Sequence, residues 1–267
     1  AALLIGSEGM HAEAVKACET TGVPLYLVSM GPDPLPGGAR PFSELFGAAP
    51  LDEPGGVPRA PDDTAVLVYT SGTTDRPKGA ELTHFQLHMN STIAGGLFGV
   101  RSDDVVLAVL PIGGVPTMLH ALAQLDIAGR DLSALRVAVS GGASLPEDIM
   151  RAFEDKYRIE VLEGYGITET ASSCTFNRPG DRKVLSIGKP LWGVRMRVCD
   201  RAGRTLRAGR EHVGEILIRG HNVMKGYLGR PETTAEARCA TAGCTPATWA
   251  IWTRTASTSS STGRRTW

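Results

Sequence analysis

Apolar positions in this chain come in short β-branched runs separated by stretches of helical spacing, and that alternation predicts its elements. Residues 1–30 show it first. Ala2–Ile5 predicts a strand, His11–Thr21 a helix closing near Gly22, and Val23–Val28 a second strand. That order makes a β-α-β unit with parallel strands, and so an α/β architecture. Residues 31–63 are rich in proline and glycine, among them Pro32, Pro34, Pro36, Gly37, Gly38 and Pro54, and read as a long surface connection. Val66–Tyr69 then reads as a short buried strand, Thr83–Leu97 as a helix and Val105–Leu110 as another apolar strand. Further strands are predicted at Leu135–Val139 and Glu160–Leu162, with a helix opening at Pro146 between them. Strands around Val194–Cys199 and Gly214–Gly220 mark a smaller β-rich part.

Two stretches between these elements carry chemistry. After Val66–Tyr69 the chain turns abruptly to Thr70, Ser71, Gly72, Thr73 and Thr74, then Asp75, Arg76, Pro77, Lys78 and Gly79. Such a loop suits a polyphosphate: glycine admits close backbone approach, successive N–H groups form an anion nest, and Lys78 supplies countercharge. It is not a Walker A loop, because Gly79 rather than Ser or Thr follows Lys78. The second stretch is Glu163-Gly164-Tyr165-Gly166-Ile167-Thr168-Glu169-Thr170. Tyr165 offers an aromatic face for a base, Thr168 a hydroxyl, and Glu169 the hard oxygen ligand that Mg²⁺ favours. The turn Ser140-Gly141-Gly142-Ala143 between a strand and a helix is the usual ligand position in open α/β sheets.

In their order these stretches resemble the adenylate-forming (AMP-binding) superfamily, whose phosphate loop reads Tyr/Phe-Thr-Ser-Gly-Thr-Thr-Gly-x-Pro-Lys-Gly. One position departs, since Asp75 stands where the family has glycine. The resemblance implies a parallel-sheet N-terminal domain of the adenylate-forming fold with a small β-rich subdomain, using ATP, Mg²⁺ and CoA. It places polyphosphate on Thr70–Thr74 and Lys78, adenine on Gly141, Gly142, Ala143 and Gly164–Gly166 with Tyr165, Thr168 near the α-phosphate, and Mg²⁺ on Glu169. Thr168, Glu169 and Lys78 are the implied catalytic residues. With T-F-N-R-P-G and R-G-H-N-V-M-K-G-Y added, the chain looks most like a bacterial long-chain fatty-acyl-CoA ligase, activating a small-molecule carboxylic acid.

Against that pattern the chain shows two breaks. Pro111-Ile112 abuts Gly113-Gly114-Val115-Pro116-Thr117, two family landmarks that a strand-helix-strand stretch ordinarily separates, and parallel strands require crossovers. An internal deletion between Ile112 and Gly113 is the reading. The second break follows Ala237. Residues 238–267 have no Asp or Glu and no helical or strand period. Back-translated with G/C-rich codons and read one phase over, they give R-D-G-W-L-H-T-G-D-L and then D-E-D-G-F-Y-F-I-V-D-R-T-K-D, the family's next motif pair. The tail is therefore read as frameshifted, with the C-terminal lid domain lost. The expected organisation is a partial nucleotide-binding domain over 1–183, a β-rich subdomain over 184–237 and an aberrant, disordered tail over 238–267.

Composition narrows the alternatives. Lys plus Arg equals Asp plus Glu at 28 each, so nothing marks a nucleic-acid partner. No apolar run reaches the length of a membrane span and no signal peptide opens the chain, so a cytoplasmic location is expected. The five cysteines lack metal-ligand or disulfide-framework spacing. Two readings remain: an acid–CoA ligase by ancestry, impaired or inactive as the chain stands, or a catalytically silent ATP-binding module.

Overall fold

The computed structural model describes residues 2–29, 35, 38–47, 56–70, 76–105, 115–200, 203–207, 213–238 and 251–253. It divides into two units, Ala1–Pro58 and Arg59–Trp267. In the first, β1 (Leu4–Ser7), α1 (His11–Thr21) and β2 (Leu25–Val28) form the expected β-α-β unit, with β1 and β2 parallel. A two-residue β3 (Arg40–Pro41) extends the sheet, again parallel. Helix α1 stops where Gly22 takes a left-handed conformation and its N–H caps the Cys18 carbonyl.

In the second unit, β4 (Thr64–Thr70) and β5 (Lys78–Thr83) pair antiparallel. β5 was not among the sequence-based expectations. Thr83 then caps α2 (His84–Phe98) in a capping box: Gln86 N–H donates to Thr83 Oγ1, and Thr83 N–H to Gln86 Oε1. Helix α3 (Val115–Gln124) starts near the Gly-Val-Pro-Thr landmark, while the strand expected at Val105–Leu110 falls almost entirely outside the described residues. β6 (Ala138–Ser140), α4 (Glu147–Tyr157) and β7 (Val161–Tyr165) form a second parallel crossover, with Ser140 opposite Glu163. Leu119, Leu145, Met150, Phe153 and Val161 pack it together.

β8 (Thr175–Phe176) continues the same sheet antiparallel to β7, and β9 (Lys189–Pro190) pairs antiparallel with β8. The sheet therefore crosses the division expected between residues 183 and 184. So does the main core, which joins Ala80, Leu82 and Cys174 to Leu191, Val194, Ile216, Ile218 and Met224. β10 (Arg195–Cys199) and β11 (Glu215–Arg219) are antiparallel, and β12 (Gly226–Tyr227) returns to pair with β5. Helix α5 (Pro231–Arg238) closes the family-like sequence. Beyond it, β13 (Ile251–Thr253) pairs antiparallel with β11. Ile, Trp and Thr favour extended backbone, and the edge of β11 offers unpaired donors and acceptors; the rest of the tail beyond Arg238 lies outside the described residues. The expected parallel pairings are present in β1–β2–β3 and β6–β7, and antiparallel pairs complete the sheets.

Candidate nucleotide site

Two of the predicted phosphate-loop residues are described, and they face each other. Thr70 ends β4, Lys78 begins β5, and the two are paired across the hairpin. Ser71, Gly72, Thr73 and Thr74 lie outside the described residues. A cleft of about 390 Å³ is lined by Arg76, Gly229, Arg230, Pro231, Glu232 and Thr233. Arg230 donates from Nη2 to the Pro77 carbonyl at 3.4 Å, tying the segment before α5 to the residues that lead into β5.

Gly141, Gly142 and Ala143 follow the end of β6, and Gly164, Tyr165 and Gly166 follow one another at the end of β7, its parallel neighbour. Adjacent parallel strands thus deliver both glycine segments to one sheet end. Gly142 has φ +79°, a conformation that costs other residues a Cβ clash. At Gly166 a Cβ would lie 1.5 Å from the Ser172 carbonyl oxygen, so no larger residue fits there. Tyr165 is half-buried and packs partly against the main core.

Thr168 and Glu169 open a single 3₁₀ turn, Thr168–Thr170, that ends with Ala171 in left-handed backbone. Asn90, buried on α2, anchors this turn from beneath by donating from Nδ2 to the Thr170 and Ala171 carbonyls. Cys174 donates to Thr170 Oγ1 at 2.9 Å, and burial pushes its thiol up to about 11. The backbone of Glu169 is held as well, its carbonyl accepting from Met224 N–H at 2.8 Å.

Tyr227 was not among the site residues expected from sequence. Its hydroxyl donates to Glu169 Oε1 at 2.7 Å, and the Lys78 ammonium sits 5.6 Å from its ring centroid. Burial, then the hydrogen bond to the Glu169 carboxylate, raises the phenol well above its ordinary value. The signal available was the G-Y pair ending R-G-H-N-V-M-K-G-Y; only the β12–β5 pairing shows what the tyrosine touches. Among the described residues no cluster of three His, Cys, Asp or Glu could hold a metal. Glu169 could offer a hard cation one carboxylate oxygen, Oε2, since Tyr227 takes Oε1.

An α/β frame with a threonine-glycine loop, a strand-end glycine turn and a Tyr-Gly-x-Thr-Glu turn defines a class. The chain matches the model of the AMP-binding enzyme family over residues 3–113 and 112–228, and it belongs to that family. A feruloyl-CoA synthase from an Amycolatopsis species is 34% identical over 249 residues, taking in 73% of this chain and 48% of that protein. Sulfoacetate–CoA ligase of Cupriavidus necator is 34% identical over 235 residues, taking in 71% of this chain and 44% of its own length. The chain therefore spans about half the length of these relatives. Its two family segments meet at residues 112 and 113. An alignment of 249 residues that uses 73% of a 267-residue chain also leaves part of the relative without a counterpart here. Among solved structures, apo MatB from Rhodopseudomonas palustris superposes with a TM-score of 0.71 at 26% identity, covering 89% of this chain and 54% of MatB. The N-terminal domain of FACL13 from Mycobacterium tuberculosis shares the fold, with a TM-score of 0.72 and 24% identity over 95% of this chain and 70% of that one. The named relatives act on varied acids, not on long-chain fatty acids in particular. No described helix is long and apolar enough to cross a membrane.

Proposed function

We propose that this chain is the nucleotide-binding portion of an ATP- and Mg²⁺-dependent acid–CoA ligase. The observation that carries the proposal is the convergence of Lys78 and Glu169, 91 positions apart in a folded unit, on the single side chain of Tyr227. In the overall reaction a carboxylate oxygen attacks the α-phosphorus of ATP, pyrophosphate leaves, and an acyl-adenylate forms. The CoA thiolate then attacks the acyl carbon and AMP leaves. Thr70–Thr74 and Lys78 hold the polyphosphate in this reading, with Gly141–Ala143 and Gly164–Gly166 bordering the adenine. Thr168 lies near the α-phosphate. Magnesium, when bound, would neutralise phosphate charge and polarise phosphoryl oxygens, with Glu169 as its protein ligand.

The acid is open to a panel. The motif residues favour a fatty acid, while the names of relatives span feruloyl, sulfoacetate and 2-succinylbenzoate chemistry. Pyrophosphate exchange with ATP and that panel tests the ligase reading. Exchange abolished by Glu169→Ala supports it, and exchange indifferent to that change refutes this site.

A second reading, an ATP-binding module without turnover, is favoured by the junction at residues 112–113. We infer a deletion there, and an out-of-frame tail from residue 238. Sequencing the DNA across both points tests the two inferences. Calorimetric binding of Mg·ATP without pyrophosphate exchange would favour the silent module.

A further inference from the structure

We infer that Tyr227 is a positioning residue of the nucleotide site: its hydroxyl fixes one oxygen of Glu169 while its ring seats Lys78, so that carboxylate and ammonium are presented from one frame. The inference rests on the nucleotide reading above and deepens it. Three observations carry it.

The first is the division of labour within Glu169. Tyr227 Oη takes Oε1 at 2.7 Å, and no other hydrogen bond or ion pair among the described residues reaches that carboxylate. Oε2 is left for a cation. A partner that holds one part of a ligand group and leaves another free is how supporting residues orient metal ligands.

The second is Lys78. Its ammonium lies 5.6 Å from the Tyr227 ring centroid, within cation–π range, and no described carboxylate forms an ion pair with it. A lysine held by a ring rather than by an acid keeps its charge for an arriving anion. One aromatic side chain therefore keeps the two opposite charges close without letting them neutralise each other.

The third is the rigidity of the frame. Tyr227 pairs with Ala80 of β5, and its N–H donates to Thr234 Oγ1 at 2.9 Å. On either side, Met224 N–H donates to the Glu169 carbonyl and Leu228 N–H to the Gly79 carbonyl, each at 2.8 Å. Residues 224–228 thus strap the turn bearing Glu169 to the strand bearing Lys78. The ring cannot move without both charged groups noticing.

The test measures ATP binding by calorimetry to the full chain, across a Mg²⁺ titration and in EDTA. In Tyr227→Phe the ring stays and the hydroxyl goes. The Mg²⁺ concentration needed to tighten ATP binding is expected to rise about tenfold or more. Affinity in EDTA should hold within about twofold and the melting midpoint should not move, since the ring still supports Lys78 and fills its space. Glu169→Gln, which keeps an acceptor for the tyrosine, should lose the Mg²⁺ response with its fold intact.

A Phe variant with the wild-type Mg²⁺ response overturns the inference while leaving the nucleotide reading standing. Glu169→Gln with an unchanged response overturns it too, since Tyr227 would then position nothing. Loss of fold in the Phe variant would assign the hydroxyl a purely structural role, also against the inference. A wild-type chain whose ATP binding ignores Mg²⁺ sinks the nucleotide reading itself, a result separable from the others because no variant is involved.

Discussion

The two strands of one hairpin meet opposite fates. β5 contains Ala80 at 0% and Leu82 at 4% exposure, whereas β4 leaves Val66 and Leu67 at 41% and Tyr69 at 63%. In sequence β4 is the more apolar of the two, V-L-V-Y against K-G-A-E-L-T. Position explains the inversion. β5 lies between β4 and β12, and its inward face meets the core that includes Cys174, Leu191 and Met224. β4 has β5 as its one neighbour among the described residues. Val66 and Leu67 point to opposite faces, so both faces of β4 are open there. Apolar pattern states what a strand tolerates; neighbours decide what it buries.

Truncation should separate the two most strongly. Leu82→Ala empties a packed position and is expected to cost about 2–5 kcal/mol. Leu67→Ala, already largely in water, should stay within about 0.5 kcal/mol of wild type. Chemical denaturation of both variants gives the comparison, and equal losses would show that β4 is covered in solution. The next effect concerns the helix behind the hairpin. Asn90→Ala leaves the Thr170 and Ala171 carbonyls without their buried donor, for a loss of about 1–3 kcal/mol. A midpoint shift near zero on denaturation would mean that water replaces the amide.

Where sequence reading succeeded, the deciding interactions are local. Thr83 and Gln86 announce the start of α2 because a capping box closes within four residues. The β-α-β unit over residues 4–28 is written in one short stretch. The family was legible from the Gly164–Glu169 stretch because its residues stand in one unbroken run. β5 was missed because K-G-A-E-L-T has neither a clean period of two nor a β-branched run; its burial comes from β12, some 145 positions later. Tyr227 was missed for the same reason, since its partners Lys78 and Glu169 are distant in sequence. Across the division expected near residue 183, Cys174 and Leu191 pack in one core, a contact between distant positions that no local pattern announces.

Cys174 lets that shared core be probed more gently than by mutation. It is fully buried with Ala80 and Leu82, and its thiol titrates at about 11. Because the thiolate is the nucleophile, at pH 8 nearly all of it stays as unreactive thiol. Alkylation followed by peptide mapping should therefore label half-buried Cys18 well before Cys174. Comparable labelling would show that the core behind β5 opens readily. Raising the pH toward 11 should speed Cys174 modification only as far as the core admits reagent.

The smallest expected effect on stability sits on β4, and it is informative because its effect on association should be large. Thr64–Thr70 carries no charge and no proline, the usual devices that keep an edge strand from pairing with another chain. Its one irregularity lies at Thr64/Val66, leaving the register from Val66 to Thr70 unbroken. Leu67→Lys puts an ammonium on a side chain that is already 41% exposed, so the lysine reaches water without desolvation. Unfolding free energy should stay within about 0.5 kcal/mol of wild type. Light scattering on concentrated wild-type protein is expected to show association that the lysine variant suppresses. The same substitution at Leu82 would bury the charge and unfold the unit, so position rather than residue type would be doing the discriminating. If wild type and Leu67→Lys associate equally, the open edge of β4 is not the contact, and the contrast between the two strands ends at burial.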